Sequence, residues 1–245
     1  MRIRAVVAYD GTRYHGFQRQ SLEREPTIQG ELERALEKIT GRSTTVMGSG
    51  RTDSGVHASG QVIAFDTEWR HSPDDLQRAS NAILADDIAV LEVSIADAHF
   101  HPRYQARSRE YRYTVYNSRL RHPLRRLYAL HVPEPLEVEA MRAASRCLIG
   151  EHDFAAFGQP TAGDSTVRVM QRVELSGDWP WIEIDLEANG FLYRMARSIV
   201  GTLIEVGRGR APIERVAQIL ESRDRSQAHT TAPAHGLCLM RVNYE

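Results

Sequence analysis

The stretch that most constrains the fold of this chain is Gly48-Ser49-Gly50-Arg51-Thr52-Asp53-Ser54-Gly55-Val56-His57-Ala58-Ser59-Gly60, with four glycines in thirteen residues. Glycine is placed where a chain needs a positive φ or a close backbone approach, so neither a regular helix nor a central strand is expected over these residues. Gln61-Val62-Ile63-Ala64-Phe65 follows, apolar and β-branched enough to read as a buried strand. Between the glycines stand the guanidinium of Arg51, the carboxylate of Asp53 and the imidazole of His57. Two readings fit: an active-site loop on a rigid strand, or a surface turn with incidental charges. The loop lacks Gly-x-x-x-x-Gly-Lys-Ser/Thr, and Gly48-x-Gly50-x-x-Asp53 misses the third glycine of the dinucleotide fingerprint. No Gly-x-Ser-x-Gly elbow is present either. What remains is the chemistry of an aspartate with an arginine nearby for an anion or a flipped base.

Composition narrows the classes. A chain of 245 residues, 42% hydrophobic and 26% charged, fits a globular protein of one large or two modest domains. Its formal net charge is −1, so nucleic acid would have to be held by a local patch and not by a global field. Of the 31 basic residues only Lys38 is a lysine. Guanidinium forks suit phosphate and carboxylate recognition, but a GC-rich genome produces the same bias. Cys147 and Cys238 are far apart among apolar neighbours, which reads as two small buried hydrophobes and not as a disulfide framework. No apolar run reaches the length of a membrane span, and the first residues lead into a strand pattern, not a signal peptide. A cytoplasmic protein without membrane association is expected.

Ile3, Ala5, Val7 and Tyr9 alternate with Arg4, Val6 and Ala8, which predicts a strand ended by the turn residues Asp10-Gly11-Thr12. Residues 13–20 then interleave Arg13, Tyr14, His15, Phe17, Gln18 and Arg19 without a regular period. Such a loop suits base stacking and phosphate contact, or equally a hydrophobic plug. Thr27 predicts the N-cap of a helix carrying Ile28, Leu32, Ala35, Leu36 and Ile39, with Gly41 past its end. Ser72, Pro73 and Asp75 open a second helix, and residues 88–95 read as a strand. Residues 100–113 are the most locally basic and aromatic part of the chain, and Tyr111, Tyr113 and Val115 share one face of a strand there. His99 and His101 lack a Cys or third His at ligand spacing, so no metal is expected.

Farther on, residues 119–126 form an arginine-rich loop, and Leu136, Met141, Ala144 and Leu148 return to helical spacing, closed by Gly150. Residues 159–165 read as a polar loop, and residues 167–175 and 181–186 as strands joined by Gly177-Asp178. Asn189 reads as the cap of a helix with Phe191, Leu192, Met195, Ile199 and Leu203 on its apolar face and Arg197 on the far side. A basic loop over 207–210, a short helix over 212–220 and a strand over 237–242 complete the reading.

Gly50-Arg51-Thr52-Asp53-Ser54-Gly55-Val56-His57-Ala58 closely resembles the catalytic motif of the TruA family of tRNA pseudouridine synthases. Tyr9-Asp10-Gly11-Thr12-x-Tyr14-x-Gly16-Phe17-Gln18-x-Gln20 resembles that family's first motif. The likeness continues through Arg109-x-Tyr111-Arg112-Tyr113, Gly150-Glu151-His152-Asp153-Phe154 and Phe191-Leu192-x-x-Met195-x-Arg197. It ends in the closing loop Thr231-Ala232-Pro233-Ala234-His235-Gly236-Leu237, where His235 stands at a position that is often acidic. The resemblance implies an α+β fold of two RRM-like domains, residues 1–105 carrying the aspartate loop and residues 106–245. Their antiparallel sheets are then expected to join into one extended sheet, with the active cleft between them.

The same resemblance implies isomerisation of uridine to pseudouridine at positions 38, 39 and 40 of the tRNA anticodon stem-loop, by a homodimer without metal or small-molecule cofactor. It makes Asp53 either a nucleophile at the sugar or a base at its 2′ position, Arg197 the ion-pair partner of Asp53, and Tyr111 the ring that stacks on uracil. Arg51, His57, Tyr14, Gln18 and Leu237 are the further expected substrate contacts. His152 and Asp153 are expected at a helix end, with Phe154 packed beneath. Three rivals stand beside this reading: a pseudouridine synthase acting on another RNA site, a non-catalytic RNA-binding module, and a metal-dependent hydrolase using Asp53, His57, His99 and His101. A pure binder has no need of a carboxylate facing a polyanion, so Asp53 argues against that rival, while the hydrolase predicts activity abolished by chelators.

Overall fold

The computed structural model describes residues 1–20, 25–160, 163, 165–228 and 231–245. The chain divides into two compact units, one of Met1–Arg107 with Cys238–Glu245 and one of Ser108–Leu237. In chain order the first contains β1 (Arg2–Tyr9), α1 (Ile28–Thr40), β2 (Met47–Gly48), β3 (His57–Asp66), α2 (Pro73–Ile83) and β4 (Ile88–Ile95). The second contains β5 (Ser108–Asn117), β6 (Leu130–Val132), α3 (Val138–Ser145), β7 (Gly150–Asp153), β8 (Val167–Ser176), β9 (Trp181–Ala188), α4 (Met195–Gly207) and α5 (Arg215–Ser222). The last strand, β10 (Leu237–Asn243), returns to the first unit.

The first unit is an antiparallel sheet under two helices. β1 lies between β4 and β3, with Ile3 opposite Phe65 and Ala5 opposite Ile63. The apolar alternation read in the sequence is the buried face: Ile3, Ala5, Val7 and Tyr9 are all buried, as are Leu32 and Leu36 of α1 and Leu76 of α2. Both helices start and stop where their end chemistry directs. The Thr27 hydroxyl accepts from the Gly30 N–H, and Gly41 ends α1 at a φ of 70°. Ser72 and Asp75 form a reciprocal capping box with Pro73 in the first turn of α2.

The glycine reading needs one correction. β3 begins at His57, inside the glycine-dense stretch, and runs through Gly60. β2 pairs with β3 at Ile63 and Ala64, while β10 pairs in parallel at His57 and Ala58. β10 comes so close that a Cβ on Gly60 would run into the Met240 carbonyl oxygen. Gly60 therefore marks a close approach of two strands, not the end of a loop.

The second unit is ordered β5-β9-β8-β7, antiparallel throughout, with β6 pairing in parallel with the end of β5. Tyr111, Tyr113 and Val115 share a buried face of β5. α4 is buried along nearly its whole length, and a Cβ on its last residue, Gly207, would fall 2.6 Å from Met141 Sδ of α3.

Several expectations are corrected here. α4 starts at Met195, not at Asn189, because the Asn189 Oδ1 accepts from the Val169 N–H of β8 at 3.0 Å and so caps no helix. α3 ends at Ser145, and Gly150, with a φ of 109°, opens β7 instead of closing a helix. Asp153 ends that strand, accepting from the Thr166 hydroxyl at 2.6 Å, and Phe154 is buried behind it. These bonds hold the Asp153 carboxyl below its usual range. Cys147 and Cys238 are free thiols and only half-buried. Of the polar loop expected over 159–165, residues 161, 162 and 164 lie outside the described residues, while Gln159 and Tyr193 exchange backbone hydrogen bonds at 2.8 and 3.4 Å. Among the described residues no helix is long and apolar enough to cross a membrane.

Gly60→Ala should lower stability by about 1–3 kcal/mol, since β3 and β10 must part to admit one methyl group. Gly50→Ala, where a Cβ would meet nothing within 4 Å, should stay within about 0.5 kcal/mol of the parent. Urea unfolding of the two variants measures the difference.

Candidate active site

In the first unit, Asp53 sits half-buried on the loop between β2 and β3. Its own carbonyl closes a turn by accepting the Val56 N–H at 3.1 Å, with Gly55 at a φ of 77°. A second segment, residues 10–17, is laid against that turn. The Phe17 N–H donates to the Thr52 carbonyl at 3.1 Å, and the Gly55 N–H donates to the Tyr14 carbonyl at 3.3 Å. The Ser54 hydroxyl donates to the same Tyr14 carbonyl at 3.2 Å. The contact is so close that a Cβ on Gly16, whose φ is 86°, would lie 2.7 Å from the Thr52 carbonyl oxygen. A Cβ on Gly11 would collide with the Val56 carbonyl oxygen.

Side chains from the strands hold the loop from below. The Tyr9 hydroxyl and Thr52 Oγ1 share a buried hydrogen bond of 2.8 Å. Burial pushes the Tyr9 phenol far above its usual range, so it serves as a neutral partner. Gln61, fully buried on β3, donates from Nε2 to the Gly50 carbonyl at 3.1 Å and accepts from the Ser49 hydroxyl at 2.6 Å. The Phe17 ring covers Gly48, where a Cβ would lie 2.5 Å from it.

The other expected contacts in this unit divide into anchored and exposed. His57 is buried, with Nδ1 3.0 Å from the Gly11 N–H nitrogen and 3.1 Å from Asp10 Oδ1. One ring nitrogen cannot accept from the first and donate to the second at once. Asp10 Oδ1 already accepts from the Thr12 N–H and hydroxyl, so Nδ1 is assigned as the acceptor for Gly11. Tyr14 is also buried, donating to Asp87 Oδ1 at 2.7 Å. Arg51 and Gln18 are exposed, Arg51 two positions from Asp53.

In the second unit, Tyr111 is buried edge-on against Phe191, with ring centroids 4.9 Å apart. Tyr113, two residues along the same face, donates to the Pro233 carbonyl at 2.9 Å. A Cβ on Gly236 would lie 2.6 Å from the Tyr113 ring, so the closing loop rests on that ring. Arg197 is half-buried on α4 and latched to the loop in both directions: its Nε donates to the Ala232 carbonyl at 2.7 Å, and the Ala232 N–H donates to the Arg197 carbonyl at 3.0 Å. The Nε bond fixes the plane of the guanidinium. Leu237 is buried at the start of β10. Tyr113 and the loop backbone at Ala232 are positioning features that residue type alone did not single out.

Several arginines of the basic stretches at 13–19 and 207–210 have protein partners. Arg13 pairs with Asp87 and Arg19 with Glu33, while Arg208 and Arg210 both reach Glu134 and Glu205. Of these, only the Arg210–Glu134 pair has both side chains about half exposed, and a pair of that kind contributes about 0–1 kcal/mol. Among the described residues no three His, Cys, Asp or Glu side chains gather as a metal-holding group.

Tyr9→Phe strands the buried Thr52 hydroxyl and should cost about 1–3 kcal/mol in urea unfolding. Adding Thr52→Val should recover about 1 kcal/mol of that loss, giving a coupling that a double-mutant cycle reads directly.

The family profile described as tRNA pseudouridine synthase matches residues 5–105 and 144–245 of this chain. A "tRNA pseudouridine synthase A" from Geobacillus sp. (strain WCH70) is 45% identical over 246 residues, covering 100% of this chain and 98% of the relative. Proteins of the same name from Moorella thermoacetica (strain ATCC 39073 / JCM 9320) and Streptococcus equi subsp. equi (strain 4047) are 44% and 42% identical, covering 99% and 100% of this chain and 99% of each relative. With its aspartate loop inside one matched stretch and α4 inside the other, the chain belongs to the tRNA pseudouridine synthase family.

Proposed function

We propose that this protein isomerises uridine to pseudouridine in tRNA, at positions 38, 39 and 40 of the anticodon stem-loop, through Asp53. The observation that carries the reading is full-length similarity to proteins named tRNA pseudouridine synthase A, with the aspartate motif inside the matched region. The reaction breaks the C1′–N1 bond, turns the uracil over and joins C5 to C1′, with no net gain or loss of atoms. It needs neither redox chemistry nor energy input. A base cannot turn over inside a stack, so it must be flipped out at a cost of a few kcal/mol. Arg51, exposed beside Asp53, is the group proposed to hold the flipped nucleotide's phosphate or fill its place in the stack.

Asp53 acts as the nucleophile at the sugar in this reading. An ionised carboxylate shielded by bound RNA needs a cation, and Arg197 is proposed as that partner. The Ala232 bond that orients its guanidinium supports the assignment. Tyr111 is proposed to stack on uracil during rotation, its hydroxyl assisting loss of the C5 proton. His57, Tyr14, Gln18 and Leu237 are proposed to line the bound nucleotides, the first two chiefly by shaping the loop that carries Asp53. A homodimer in the cytoplasm completes the proposal.

The test is tritium release from C5-labelled uridine in tRNA transcripts, with a chelator present and uridine retained only at positions 38, 39 or 40. Release from these transcripts by the parent protein, falling by more than about 10⁴-fold in Asp53→Asn, is the expected result. Near-parental release by Asp53→Asn would contradict the role of Asp53. Tight, salt-sensitive binding without release from any transcript would favour the RNA-binding module instead. Arg197→Ala should lower kcat by about 10²–10³-fold with a smaller change in KM, from the cost of an uncompensated carboxylate. A defect confined to KM would make Arg197 a phosphate contact. Tyr111→Phe should lower kcat by about 10²-fold at unchanged KM, separating the hydroxyl from the ring.

A further inference from the structure

The region from Phe100 to Arg107 presents an aromatic surface that no step of the proposed reaction uses. Tyr104 is 76% exposed, an unusual position for a large ring. It is not a loose side chain. The His101 ring packs against it at a tilt of 37° with centroids 4.3 Å apart, and the Arg103 guanidinium lies 5.9 Å from the Tyr104 centroid. The turn beneath is tied to itself: His101 Nδ1 accepts from the Arg103 N–H at 3.2 Å, and the Gln105 N–H donates to the His101 carbonyl at 3.2 Å.

Asn243 and Tyr244 tie this turn down. The Tyr244 hydroxyl donates to the Pro102 carbonyl at 2.7 Å, and the Tyr244 ring packs on Phe100 at 5.3 Å. Arg4 of β1 in turn covers the Tyr244 ring at 5.5 Å. The Arg107 N–H donates to the Asn243 carbonyl at 2.8 Å. Folding alone does not require an exposed ring on so fixed a base. Most of the Tyr104 side chain is open, while its ring already carries one aromatic partner.

We propose that Tyr104 is a stacking platform for an unstacked nucleobase of the RNA substrate, adding one ring to the His101–Tyr104 pair, with Arg103 and the exposed Arg107 facing the adjoining phosphates. The proposal rests on the reading of the protein as a tRNA-modifying enzyme and adds a binding element outside the aspartate loop. Three features point to a base and not to an apolar protein surface. The ring has a guanidinium beside it, it is largely exposed, and it is already oriented by the His101 ring, so stacking costs little side-chain entropy.

The experiment measures affinity of a tRNA transcript by anisotropy titration, and single-turnover tritium release from limiting RNA at saturating protein, for the parent protein, Tyr104→Phe and Tyr104→Ala. Circular dichroism and sedimentation on each variant check fold and assembly. Tyr104→Ala should weaken binding by about 5- to 150-fold, the range for loss of one base–aromatic stack. Its release rate at saturation should match the parent within about threefold, and Tyr104→Phe should bind like the parent. The slope of log Kd against log salt should not change, because a neutral ring releases no counterions. Parental affinity in a folded Tyr104→Ala would overturn the proposal, as would a loss of self-association that makes Tyr104 a subunit contact. If the parent itself neither binds nor modifies tRNA, the functional reading has failed, a result distinct from failure of the platform alone.

Discussion

The structure of the aspartate site depends on a backbone-to-backbone fit that few side chains could tolerate. Residues 10–17 and 49–56 approach so closely that a methyl group at Gly11 or Gly16 would strike the carbonyl of Val56 or Thr52. Two main-chain bonds, Phe17 to Thr52 and Gly55 to Tyr14, cross the contact, and Asp53 lies between their endpoints. Beneath it, Tyr9 and Gln61 supply hydrogen bonds to Thr52, Ser49 and Gly50 from inside the core. A buried hydroxyl pair left half-made costs more than it contributes when complete, so this layer resists partial loosening. For the proposed reaction the consequence is preorganisation: the main chain that carries Asp53 is fixed before substrate arrives.

The second unit shows the same logic with different parts. Arg197 stands on a helix whose other faces are almost wholly buried, so its Cα cannot drift, and its Nε is held by the Ala232 carbonyl. That carbonyl belongs to a loop seated on the ring of Tyr113, and Gly236 is what permits the seat. Tyr111 shares the strand face with Tyr113, so one β-strand positions both the proposed uracil-stacking ring and the support of the arginine latch. In each unit, side chains proposed for catalysis are one step removed from residues whose work is packing.

Much of this was legible in the sequence, for reasons that are local. Thr27, Gly41 and the Ser72–Asp75 box are end signals read within four residues, and the alternation from Ile3 to Tyr9 is a strand pattern with period two. The features that escaped reading depend on distant partners. Gly60 looked like loop chemistry because the strand that demands it, β10, lies some 180 residues later. Asn189 has the residue type of a helix cap, but its carboxamide is taken by Val169 of a neighbouring strand. Arg197 sits on the polar side of its helix stripe, and its bond to the distant Ala232 carbonyl, invisible in the local pattern, sets it apart from an ordinary surface arginine. The Asp53 motif itself was identified through family resemblance, since composition and spacing alone left an active-site loop and a plain turn as equal readings.

The most direct test of the account is native-state hydrogen exchange at the amides of Phe17, Gly55 and Val56, measured without RNA and compared with Ile63 in the core of β3. A loop interlocked as described should protect these three amides to within about tenfold of Ile63, because all of them should open only with the unit as a whole. Exchange at the rate of open loop residues, with Ile63 still protected, would contradict the account. Asp53 would then be brought into position by the substrate and not held ready for it.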